Sequence, residues 1–142
     1  MAYRHAYISG ALTMTVINPD IDMRGAYASI GKLCEELGTN PYVPHASGTD
    51  PLTNPEVPAQ DIWAKDKAEV EHADIIIAYV GTPSLGTGAE LEIARVSGKD
   101  IILWWLEGEP VSRMARGNPA VVKMIEAKDT DDLLSQLKQI LQ

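Results

Sequence analysis

Cysteine is nearly absent: Cys34 is alone in 142 residues, so no disulfide framework can form and the sequence reads as that of a protein from a reducing compartment. Basic residues are also scarce, 12 Lys and Arg against 20 Asp and Glu, which gives a formal net charge of -8. That balance excludes a nucleic-acid polymer as partner, because neutralising its phosphates takes clustered Lys and Arg. No apolar run approaches the roughly 20 residues of a membrane-spanning helix. The basic-then-apolar order of a secretion signal is missing too, so the expectation is a cytoplasmic protein with no membrane partner. Three chemical signatures are lacking. There is no Gly-Lys-Ser/Thr of a P-loop and no Gly-x-Ser-x-Gly elbow. His5, His45 and His72 are scattered, without the paired spacing that metal ligands need, so no metal or cofactor is expected. No linker, repeat or low-complexity stretch divides the chain, and residues 1–142 read as a single domain.

What is present alternates. Ala6 to Ser9 reads as a first strand, and Arg24 to Leu37 as a helix stopped by Gly38, with Cys34 on its core stripe. Pro41 to Val43 is a short second strand, followed by a long loop from Pro44 to Pro58 that holds four prolines. Gln60 to His72 is helical, Asp74 to Val80 is a third strand, and Glu90 to Ser97 is a helix stopped by Gly98. Asp100 to Trp105 and Val121 to Glu126 read as the last two strands, and a final helix starts at Thr130. The third strand, rich in β-branched residues without polar alternation, suits burial on both faces of a parallel sheet. Strands alternating with helices imply an α/β fold, a doubly wound five-stranded parallel sheet with helices on both faces, flavodoxin- or Rossmann-like. Ligands of such sheets bind beyond the carboxyl ends of the strands, where the order reverses. That rule sets Tyr7 to Thr13 opposite Gly81 to Glu90 across a cleft.

The most informative stretch runs Thr82-Pro83-Ser84-Leu85-Gly86-Thr87-Gly88-Ala89-Glu90. It carries an apolar strand into a glycine loop that ends on a carboxylate, the layout of a sugar or phosphate site. Helical spacing restarts at Glu90, which places this side chain in a first turn, where free N–H groups and the helix dipole hold a carboxylate ionised. The same position suits an acidic residue that only stabilises a helix start. A dinucleotide fingerprint is ruled out because Leu91 stands where its third glycine belongs. Asp66 is the second carboxylate of interest, on a helix face with Trp63 and Val70, although a solvated helical Asp fits that pattern as well. His45, at a strand end, suits either a ligand contact or a turn.

Several segments, in order, resemble one family. They are Tyr7-Ile8-Ser9-Gly10; Lys65-Asp66 followed by Ala73-Asp74-Ile75-Ile76-Ile77-Ala78; Pro83 to Leu91; and Ser112-x-Met-x-Arg-Gly. The separation of Asp66 from Glu90, 90 − 66 = 24 residues, belongs to the same pattern. Together these resemble the nucleoside 2-deoxyribosyltransferase superfamily, which includes the 2′-deoxynucleoside 5′-phosphate N-hydrolases.

The resemblance implies attack of Glu90 on C1′ of a nucleoside sugar, with Asp66 protonating the base or positioning the sugar, and Tyr7 holding the carboxylate or covering the sugar. The glycosyl-enzyme would be resolved by water in a hydrolase or by a second base in a transferase. Ser84, Gly86, Gly88, Gly10, Ser112, His45 and Trp63 are the expected substrate-binding residues. Ser112 is expected to reach in from a neighbouring subunit of a homodimer or higher homo-oligomer. Ser84, where transferases of free nucleosides carry an acid, favours a nucleotide monophosphate. Ala11 and Thr13 depart from the hydrolase pattern of a serine and a phosphate-binding arginine, which leaves Arg24, Arg113 or Arg116 to substitute. The expected activity is therefore release of base from a 2′-deoxynucleoside 5′-monophosphate. Base exchange between nucleosides and non-catalytic nucleotide sensing are the alternatives.

Overall fold

A computed structural model describes residues 2–142. Five strands, β1 (His5–Ser9), β2 (Asn40–Tyr42), β3 (Ile75–Tyr79), β4 (Asp100–Leu106) and β5 (Val121–Ala127), pair in parallel in the order β2-β1-β3-β4-β5. This is the expected doubly wound sheet. β3 lies at its centre, and each of its residues is at most 1% exposed, as its unbroken apolar run requires.

Among the described residues, five α-helices lie between the strands, α1 (Met14–Ile17), α2 (Arg24–Glu36), α3 (Ala59–His72), α4 (Leu85–Val96) and α5 (Arg113–Arg116), and α6 (Thr130–Leu141) follows β5. One face of the sheet presents Ile8, Ile75, Ile77, Tyr79, Ile102 and Trp104 to α2 and α6, where Ile30, Cys34, Leu133 and Leu137 meet them. The other presents Tyr7, Ile76, Ala78, Ile101 and Leu103 to Val70 and Ala73 at the end of α3 and to Leu91 and Ala94 of α4. Alternation along β1 thus sends Ile8 to one layer and Tyr7 and Ser9 to the other. Burial of each large aliphatic side chain in these layers contributes roughly 1.5–3 kcal/mol, and this, more than propensity, holds the helices in place.

Most boundaries agree with the sequence reading to within a residue or two, and α2 and α4 stop before Gly38 and Gly98 as expected. Two features differ. The short helices α1 and α5 lie in segments to which the periodicity assigned no element; four residues are too few to reveal a period. More consequentially, α4 starts at Leu85, five residues before the expected start at Glu90. Ser84 is its N-cap, accepting the Thr87 N–H on Oγ at 3.2 Å. Gly86 and Gly88, read as loop breakers, are helical residues beyond that cap.

Candidate functional site

The earlier start of α4 removes one argument for Glu90 and supplies another. Glu90 sits in the second turn, where its own N–H is bonded within the helix, so the exposed helix terminus does not hold its charge. Instead its carboxyl turns toward the sheet and is gripped from β1. Tyr7 donates its phenol proton to Oε2, and Ser9 donates its hydroxyl to Oε1 at 2.7 Å. Tyr7 is held in turn by the Tyr42 ring, stacked at 5.4 Å. Burial raises the Glu90 pKa to about 7; the two hydroxyls pull against that rise and the charge of Asp66 adds to it. Glu90 is therefore divided between charged and neutral forms near neutrality, contrary to the expectation of a carboxylate held ionised. Burial, above all, places the Tyr7 phenol far above the ordinary tyrosine range, so it remains a proton donor.

Asp66 reaches the same place from α3. Its pKa is raised to about 6, chiefly by burial, with Lys65 and the Tyr7 hydroxyl opposing the rise. The Tyr7 proton goes to Glu90, and Asp66 Oδ1 is left buried without a hydrogen-bond partner. A buried oxygen without a donor costs about 1–3 kcal/mol, more when charged, and a ligand hydroxyl or N–H would recover that cost.

Tyr7 and Ser9 lie beneath a cavity of ≈ 960 Å³ over the carboxyl ends of β1 and β3, the point where the strand order reverses. Asp66, Glu90, Gly10, His45, Ser84, Gly86, Gly88 and Ser112 all line it. Gly10 lies against the Tyr27 ring, where an added Cβ would fall 2.2 Å from the phenol oxygen. At Gly86 and Gly88 the protein makes no such demand: a Cβ would come no nearer than 3.9 Å to Ser84 at the first and would meet nothing within 4 Å at the second. The missing side chains leave space on the cavity side of α4. His45 has its pKa lowered by burial, and its Nδ1 is buried and unpartnered. Ser112 caps α5 from the rim of this same chain's cavity.

Trp63 is not brought to the site. It is 58% exposed, stands outside the cavity lining, and has Lys67 Nζ over its ring at 5.7 Å. The face of α3 that meets the cavity carries Ile62 and Asp66, four residues apart, so the expected Trp63–Asp66 face is displaced by one position. Sequence reasoning also passed over Ser9, although two-residue alternation from Tyr7 would have found it. It missed the buried Thr87, whose Oγ1 is a further unpartnered atom of a cavity-lining residue.

The arginines proposed as phosphate ligands are not at the cavity. Arg24 is spent on Asp22 at 2.6 Å and on the buried Asp50 at 3.0 Å. Among the described lining residues there is no Lys or Arg, and Asp66, Glu90 and Glu92 are acidic. What the site offers an anion is the N-terminus of α4, where Leu85 and Gly86 border the cavity and have no carbonyl one turn earlier for their N–H groups.

Comparison with known proteins agrees with this architecture. The family model for nucleoside 2-deoxyribosyltransferase matches residues 12–134. A protein of Thermofilum pendens, whose assigned name is 2′-deoxynucleoside 5′-phosphate N-hydrolase 1, is 28% identical over 124 residues, which is 83% of this chain and 87% of that one. In structure the chain resembles the CMP N-glycosidase BcmB of Clostridium botulinum, with TM-score 0.71, 21% identity and 97% and 100% of the two chains covered. It also resembles a 2-deoxyribosyltransferase of Bacillus psychrosaccharolyticus, with TM-score 0.67, 19% identity and 92% and 90% covered. At those identities the structural matches speak for the fold. No described helix is long and apolar enough to cross a membrane.

Proposed function

The chain belongs to the nucleoside 2-deoxyribosyltransferase family, and from that premise we propose that it cleaves the N-glycosidic bond of a 2′-deoxynucleoside 5′-monophosphate through a covalent intermediate on Glu90. The observation that carries the proposal is the Glu90 carboxyl, fixed on both oxygens by Tyr7 and Ser9 beside the unpartnered oxygen of Asp66. Ionised Glu90 attacks C1′ as the C1′–N bond breaks, and the bonding pair leaves with the base, which takes up a proton. Water then attacks C1′, the ester to Glu90 breaks, and 2-deoxyribose 5-phosphate leaves with the carboxylate restored. Two displacements retain configuration, and such enzymes hold their carboxyl groups about 5 Å apart. Two carboxyls that both act on one phenol are consistent with that spacing.

Asp66 takes one of two roles. Its open Oδ1 can accept a sugar hydroxyl, and its raised pKa leaves a protonated fraction near pH 6 that can serve the leaving base. Tyr7 fixes the nucleophile while staying protonated. The 5′ phosphate would lie on the Ser84 hydroxyl and the first N–H groups of α4. A homo-oligomer that shares the site through Ser112 is part of the same proposal. The Thermofilum pendens relative supports the nucleotide as substrate.

One observation favours a second reading, base exchange between nucleosides: the described residues that line the cavity include no Lys or Arg to meet a phosphate. A pair of incubations decides between them. With a deoxynucleoside monophosphate alone, free base and 2-deoxyribose 5-phosphate are expected. With a deoxynucleoside plus a second free base, formation of a new nucleoside would overturn the hydrolase reading.

A further inference from the structure

The loop that follows β2 lines the cavity over the carboxyl end of the sheet, and two cations from helices on opposite faces of that sheet hold it. Most of its hydrogen bonds are internal. One turn of 3-10 helix, Pro44–Ala46, opens it. The Ser47 N–H then donates to Pro44 O at 3.0 Å, the Ser47 hydroxyl to Val43 O at 2.8 Å and the Thr49 hydroxyl to Pro44 O at 3.0 Å. Farther on, Asp50 accepts the Leu52 N–H on Oδ1 at 2.9 Å and, on Oδ2, the guanidinium of Arg24 from α2 at 3.0 Å. From α3 the tie is Lys65, whose ammonium donates to Ser47 O. Among the described residues this is the one hydrogen bond from α3 to residues 44–54.

Gly48 makes the turn at this tie, with φ at +93°, in the left-handed region that glycine occupies without strain. A Cβ there would lie 3.9 Å from Lys65 Nζ, so the ammonium rests against the backbone of residues 47 and 48. His45, Thr49 and Pro51 bring this loop to the cavity, and Ile62 and Asp66 bring α3 to it. Lys65 joins the two walls directly. It stands beside Asp66 on one side of the bond, and Ser47 lies between His45 and Thr49 on the other. The bond therefore holds the loop wall at a fixed distance from the α3 wall, while Lys65 itself stays outside the lining.

We propose that Lys65 is a positioning residue that holds the 44–54 loop against α3 and so sets the width of the end of the cavity that receives the base. This role rests on the N-glycosidase reading above, in which the sugar lies along α4 and the base, leaving C1′ on the side away from Glu90, extends toward α3 and the loop. Loss of the tie should weaken the hold on the base and spare the sugar end. Three proteins test this: wild type, Lys65→Met and Lys65→Arg. Methionine keeps the apolar stem without the ammonium, whereas arginine keeps N–H donors for Ser47 O. In Lys65→Met, KM for a deoxynucleoside monophosphate should rise about tenfold, while the inhibition constant of 2-deoxyribose 5-phosphate, which has no base, stays within about threefold. kcat should also stay within about threefold, and Lys65→Arg should return KM to within about threefold of wild type. Amide exchange of Ala46, Ser47 and Leu52, whose N–H groups are bonded inside the loop, should quicken in Lys65→Met and not in Lys65→Arg.

An unchanged KM in Lys65→Met, or an inhibition constant for 2-deoxyribose 5-phosphate that rises as far as KM does, would overturn the proposal. So would a Lys65→Arg as impaired as Lys65→Met. A loss confined to kcat would overturn it as well, because it would assign Lys65 to the charge of Asp66, whose pKa it helps to lower. A wild-type protein that releases no base from any nucleotide or nucleoside refutes the catalytic reading instead. Calorimetric binding of a deoxynucleoside monophosphate then decides the role of Lys65: weaker binding to Lys65→Met than to wild type supports it, and equal binding overturns it.

Discussion

Glu90→Gln should make this protein more stable at alkaline pH while abolishing its activity, and the size of the effect follows from the site. The carboxyl is placed between α4 and β1, where burial raises its pKa to about 7 from the ordinary value of 4.5. The folded state thus holds the proton more tightly than the unfolded chain does. Its contribution to stability is fully present below about pH 4.5 and is lost as pH rises through about 7. At about 1.4 kcal/mol for each pH unit of that gap, the loss is about 3 kcal/mol. A glutamine has nothing to ionise, and any packing cost it brings is the same at every pH. What is read is therefore the change, between pH 4.5 and pH 8, in the stability difference of the two proteins. Asp66 remains in both, so its own loss of stability over the lower range from 3.8 to about 6 largely cancels. Urea unfolding of both proteins at the two pH values should show Glu90→Gln gaining about 3 kcal/mol relative to wild type, or roughly 6–12 °C in thermal midpoint. Parallel pH profiles of stability would refute the buried, proton-holding carboxyl and with it the account of how the proposed nucleophile is held.

The same shift predicts that kcat/KM falls with decreasing pH below about 7, because the proposed attack requires an ionised Glu90. The charge of Asp66 contributes to that pKa, so Asp66→Asn should move the acidic limb to lower pH as well as lowering the rate; a limb that stays in place removes the coupling. Ile62→Ala should raise KM severalfold by opening the cavity wall, whereas Trp63→Ala should leave KM unchanged, and steady-state kinetics of the pair test which face of α3 meets the substrate. Arg24→Met leaves the buried Asp50 carboxylate without its guanidinium partner and should lower the urea midpoint. If Arg24 bound phosphate instead, the nucleotide KM would rise with little loss of stability.

Much of the fold was legible in one dimension because its signals are local. The unbroken apolar run before Val80 marked the central strand, and Gly38 and Gly98 marked two helix ends. Two misplacements at the site share one cause: a local signal was outweighed by packing. Gly86 and Gly88 read as breakers, but the Ser84 cap and the burial of Leu91 and Ala94 against the sheet carry α4 through them. Trp63, the large apolar residue near Asp66, drew attention over Ile62, although a helix face is defined by what it packs against.

The sequence by itself determined the alternation of strands and helices, the crossing point where a ligand would lie, and the pairing of Asp66 with Glu90 through a family pattern. Only the tertiary structure decided the state of those carboxyls. A pKa depends on what surrounds a group, and the surroundings of Glu90 come from residues 81 and 83 positions away, Ser9 and Tyr7. It also decided that Arg24 belongs to Asp50, and that Gly81 is small because Glu109 fills its place. Distances between residues far apart in the chain exist only once the sheet has formed, and on those distances the chemistry of this site depends.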